Sequence, residues 1–73
     1  MSPALPVVSG GEAVVALAKA GFAEVGQRGS HAMLRDQNGR TVIMPLRREL
    51  ARGTLSSVLR RAGLTPSEFI DLL

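Results

Sequence analysis

The chain has 73 residues, nine Lys or Arg against six Asp or Glu, one histidine, and no cysteine, tryptophan or tyrosine. That length allows one domain with a small core, and the lack of cysteine excludes a disulfide framework and a cysteine-ligated zinc site. No apolar run approaches the roughly 20 residues of a membrane span, and the opening Met-Ser-Pro-Ala-Leu-Pro has no leader-like region, so a cytoplasmic protein with no membrane partner is expected.

Residues 1–8 hold two prolines and no periodicity, and predict a flexible lead-in to a single domain over residues 9–73. Ser9-Gly10-Gly11-Glu12 has the spacing of a capping box. The helix behind it carries Val14, Leu17 and Ala18 at helical spacing and stops at Gly21. Ala23 to Gln27 predicts a short strand with Val25 as its apolar anchor. Arg28-Gly29-Ser30 is a tight connection into a second strand, His31 to Arg35. Asn38-Gly39 is a strong hairpin signal, and the β-branched run from Thr41 ends at Pro45 as a strand does. Leu46 to Gly53 predicts a charged connection and Thr54 an N-cap. Leu55, Val58, Leu59 and Ala62 then form a helical stripe that ends at Gly63. Thr65-Pro66-Ser67-Glu68 is a second capping box, opening a short last helix with Phe69, Leu72 and Leu73. The order α-β-β-β-α with a short C-terminal helix predicts an α+β two-layer sandwich. Its arrangement is similar to that of double-stranded RNA-binding domains.

Charge is not spread evenly. Residues 28–61 hold eight arginines against Asp36 and Glu49, which favours a polyanionic partner, most often nucleic acid. Arginine's planar fork suits phosphate. Arg28 is read as a phosphate contact, and Arg47, Arg48 and Arg52 as a patch for RNA or a protein partner. Arg60 and Arg61 fall in the last turn of a helix, where cations are favourable anyway. Neither a metal-ligand spacing nor a phosphate-binding glycine loop occurs, so no metal and no cofactor are expected. Phe22 and Phe69 are the only aromatics and occupy core positions, which leaves phosphates, 2′-hydroxyls and shape for RNA recognition.

His31 is the only imidazole, at a strand start beside a glycine turn. It alternates with Met33 and Arg35 on one face of its strand, while Ala32 and Leu34 point to the other. An imidazole among arginines suits RNA cleavage, moving a proton while guanidinium groups stabilise charge on phosphorus. Ser30 is placed to bond the turn backbone or the RNA, and Arg35 to touch RNA from the His31 face. Met33 and Met44 are read as core filler.

The segments Ala20-Gly21-Phe22, Gln27-Arg28-Gly29-Ser30-His31, Val42 to Pro45, Gly53-Thr54-Leu55 and Ala62-Gly63-Leu64 occur in the order and spacing of the HicA toxins of HicAB toxin–antitoxin systems. The chain resembles that family over about residues 9 to 73. The resemblance implies an mRNA interferase, a catalytic histidine of the Gly-Ser-His motif (here His31), and a HicB-type antitoxin that covers the active site. A larger toxin–antitoxin assembly is also expected. The chain departs from the family pattern at Ala32, where many members have a second histidine. It departs again at Arg47, where many have a histidine two residues past the strand-ending proline. A non-catalytic RNA-binding module is the alternative reading, and a basic face that only holds an acidic partner is a third.

Overall fold

The computed structural model describes residues 4–73, so the first three residues of the expected lead-in lie outside the described residues. Helix α1 (Gly10–Lys19) begins on the expected capping box. The Glu12 N–H donates to Ser9 Oγ at 3.0 Å, and the Ser9 N–H donates to Glu12 Oε1 at 2.9 Å. Its inner face buries Ala13, Ala16 and Leu17. Past the helix end the Phe22 N–H donates to the Leu17 carbonyl at 3.0 Å, and Phe22 is buried.

Three antiparallel strands follow: β1 (Ala23–Arg28), β2 (His31–Arg35) and β3 (Thr41–Pro45), in the sheet order β1-β2-β3. Gly29 takes φ 56°, the left-handed conformation a two-residue hairpin needs at its first position. The Asn38-Gly39 hairpin closes through a three-residue loop. The Gly39 N–H donates to the Asp36 carbonyl at 3.2 Å. The Asp36 carboxylate accepts from the N–H groups of Asn38 and Arg40, at 3.0 and 2.8 Å.

Helix α2 (Arg52–Ala62) and the short α3 (Pro66–Leu72) complete the chain. Leu55, Val58, Leu59, Ala62 and Phe69 are buried. In the sheet Ala32 faces Met44 and Leu34 faces Val42, and all four are buried. The helices therefore cover this face, giving the expected two-layer α+β sandwich. Val8 and Leu50 are buried with it, and the Leu50 N–H donates to the Val8 carbonyl at 2.9 Å.

Three local expectations are corrected. Thr54 is not an N-cap: α2 starts at Arg52 behind Ala51, with no side-chain cap. The Leu55 N–H already closes on the Ala51 carbonyl at 3.0 Å, so burial of Leu50 and Leu55 sets the helix start rather than a capping hydroxyl. Val25 anchors nothing, because the ladder shifts register between Glu24 and Gly26 and the bulge turns Val25 away from the core. Met44 is core as expected, but Met33 is exposed, since it faces the side that no helix covers.

Both capping-box carboxyls are held below the ordinary glutamate range, first by the backbone N–H and then by the hydroxyl of Ser9 or Thr65. These bonds are lost on unfolding, so their contribution is fully present above about pH 4.3 and disappears as pH falls through the lowered folded-state values. Denaturant unfolding from pH 6 down to pH 3 is expected to show falling stability in that acid window. The fall should be smaller in a Glu12→Gln/Glu68→Gln variant, whose amides hydrogen-bond without titrating there.

Candidate nucleic-acid interface

Because strand neighbours alternate, covering Ala32 and Leu34 leaves His31, Met33 and Arg35 on the open side of the sheet. His31 opens β2 and is exposed. Its ladder partners are Arg28 on β1 and Pro45 on β3. Residues directly opposite share a face, so Arg28 stands on the same side as His31. Met33 faces Ile43 across β3 and Gly26 across β1. Together with Val25 and Gln27 these residues line a shallow concavity of about 630 Å³, within the size range of ligand sites, roughly 300–1,000 Å³. No carboxylate lines it.

The His31 end of the sheet is tied down on both sides. The Leu46 N–H donates to the Ser30 carbonyl at 2.6 Å, joining the β1–β2 turn to the segment leaving β3. The Gly10 N–H donates to the Arg47 carbonyl at 2.8 Å, joining that segment to the start of α1. The Gln27 Nε2 donates to the Gly29 carbonyl at 3.2 Å and braces the turn from the other strand.

The expected site residues do not all meet. His31, Arg28 and Ser30 lie at one end of the sheet, and Arg47 leaves β3 beside them, all exposed. Arg35 shares the His31 face but sits at the far end of β2, about 13 Å along the strand. Its Nε donates to Thr41 Oγ1 at 3.1 Å. Arg48 and Arg52 are exposed on either side of buried Leu50, on the path from β3 into α2. Arg60 and Arg61 occupy the last turn of α2 as expected.

Sequence reasoning missed the apolar part of the concavity. Val25, Met33 and Ile43 are 51, 38 and 45 % exposed. The signal for two of them was present. The Asn-Gly hairpin sets the pairing of Met33 with Ile43, and alternation places both with His31. The bulge that adds Val25 has no comparable signature. Among the described residues no group of three or more His, Cys, Asp or Glu side chains gathers, and no helix is long and apolar enough to cross a membrane.

A one-sided α+β sandwich with an exposed histidine and arginine on its open sheet defines a small domain with a basic, solvent-facing site. A family model described as the HicA toxin of bacterial toxin-antitoxin matches residues 10–64. The chain belongs to the HicA toxin family. It is thus a toxin of a toxin–antitoxin system, a class that works with an antitoxin partner. No curated protein matches the chain.

Position 32 shows what the open face excludes. Ala32 is fully buried on the helix side, so a second histidine there would enter the core and not the His31 site. Ala32→His is expected to overpack that position and cost about 1–3 kcal/mol. Urea unfolding would read this as a lower midpoint, with no new titrating group on the open face in NMR.

Proposed function

We propose that the chain is a metal-independent endoribonuclease, an mRNA interferase with His31 as its general acid/base. The observation that carries this reading is the exposed His31 beside Arg28, on a rigidly tied sheet end whose concavity holds no carboxylate. A neutral imidazole accepts the proton of an RNA 2′-hydroxyl as the 2′-oxygen attacks phosphorus. The bond to the 5′-oxygen then breaks, and that oxygen takes its proton from the imidazolium or from water. Arg28 binds the phosphate and offsets its growing charge, as a fixed guanidinium does best where water is partly excluded. Ser30, Arg47, Arg48 and Arg52 extend the RNA contact around the turn and the segment after β3. Arg35 lies too far along the strand to touch the same phosphate. A HicB-type antitoxin that covers this face would silence the enzyme, and a larger toxin–antitoxin assembly would follow from further pairing through the antitoxin. The cytoplasm is the expected compartment, where mRNA is found.

Two outcomes are expected. Purified wild-type chain cleaves RNA in EDTA, while His31→Ala binds RNA without cleaving. Equal cleavage by both proteins would remove His31 from the chemistry. Binding by both without cleavage would leave a non-catalytic RNA-binding module. Arg28→Ala is expected to weaken RNA binding about tenfold and lower the salt slope by about one phosphate contact. Arg35→Ala is expected to change binding at the scissile phosphate less than twofold, as read by fluorescence anisotropy on a short RNA.

A further inference from the structure

The open sheet face carries more apolar surface than the fold requires. Val25, Met33 and Ile43 stand exposed in one concavity, and Ile43 also borders a second hollow with Thr54, Ser57, Val58 and Arg61 of α2. The register shift between Glu24 and Gly26 leaves Val25 without a ladder partner, and Val25 lines this face beside Gly26, which lies opposite Met33. Gly26 leaves Met33 bare, because a Cβ built there would meet nothing within 4 Å. The apolar floor lies two residues along β2 from His31, about 7 Å. Arg28, His31 and Gln27 also line the concavity, with no acidic group.

We infer that Val25, Met33 and Ile43 form the seat for one nucleobase of the RNA, the base of a nucleotide adjoining the phosphate held by Arg28. This rests on the ribonuclease reading above and adds a base-stacking subsite to it. Three features of the site support a nucleotide. The rim is cationic, as a polyanion needs. The spacing from His31 is the reach of a base from its own backbone. The floor is flat, aliphatic and thioether-bearing, and packs against a ring face without hydrogen-bond readout. In place of an aromatic platform, the chain uses a Met–Ile cross-strand pair extended by the bulged Val25. Binding through the ring face makes the subsite tolerant of which base fills it and intolerant of none.

The test is a double-mutant cycle between protein and RNA. One partner is the full chain or its Met33→Ser/Ile43→Ser variant, both changes at exposed positions. The other is a synthetic RNA, intact or with an abasic riboside at each nucleotide flanking the cleavage site in turn. Binding is read by anisotropy in the His31→Ala background, and cleavage is read separately with His31 present. The expected result is about a tenfold loss of affinity from the serine variant on intact RNA, a similar loss from one of the abasic substitutions, and little further loss when the two are combined. In cleavage the same variant raises KM with kcat nearly unchanged. Gly26→Val, which fills the open space over Met33, should reproduce the loss with an unchanged melting temperature. Losses that simply add, or a serine variant that binds intact RNA like the parent, would overturn the subsite. So would a variant that loses affinity for the antitoxin alone, because the patch would then be a protein contact. If coupling appears in binding while the histidine-bearing chain cleaves nothing, the subsite stands and the ribonuclease reading fails.

Discussion

The candidate site depends on a close approach between the start of α1 and the segment that leaves β3. Gly10 sits there with its N–H on the Arg47 carbonyl. A Cβ on Gly10 would overlap the Pro45 carbonyl oxygen and crowd Leu46 Cα, so only glycine lets the helix come this near. The capping box one residue earlier sets the direction of α1, and the Arg47 bond fixes where the helix begins relative to the sheet. The next link is the Leu46–Ser30 bond, which carries the same constraint to the β1–β2 turn. His31 follows that turn directly and pairs with Pro45. A side chain on a small domain would ordinarily share the mobility of its loop. Here three backbone segments meet behind it and hold its Cα in place.

Much of this is legible in the chain itself. Two capping boxes, an Asn-Gly hairpin and a strand-ending proline define the element order, since each acts through bonds within four residues of itself. The face of His31 follows from alternation alone. What escaped depends on contacts between distant segments. The bulge at Val25 arises because β1 carries one residue more than β2 can pair, and a single strand gives no sign of that. Thr54 has the chemistry of an N-cap, but α2 starts three residues earlier, behind Ala51 and beside buried Leu50. Arg35 illustrates a further limit. Period-two alternation reports a shared face but not a shared end, and four residues of strand separate Arg35 from His31.

Met33 shows how a correct pattern can lead to a wrong role. Its alternation with Ala32 was plain, yet a methionine in a strand suggests core. Only one face of a three-stranded sheet can be covered by the helices of a chain this short, and small Ala32 lies on that covered face. The larger residue is left outside. Size alone would have assigned the faces the other way round, so the helix stripes, not the strand, decide which side becomes the core.

The same asymmetry bears on function. A sheet face open to water needs no apolar residues, and polar side chains at 25, 33 and 43 would leave every buried contact of the core intact. Burying apolar area on a ligand yields roughly 25 cal/mol per Å², so exposed Val25, Met33 and Ile43 are an unspent driving force for binding, placed beside the one imidazole. Under the ribonuclease reading the labour then divides by chemistry. His31 moves the proton, because an imidazole can both take one up and give one back. Arg28 and Arg47 carry charge that does not titrate. Arg47 leaves the end of β3 beside this site, its carbonyl held by the Gly10 N–H. Under that reading the proton chemistry rests on one residue, and the backbone ties around the β1–β2 turn are what hold it in place.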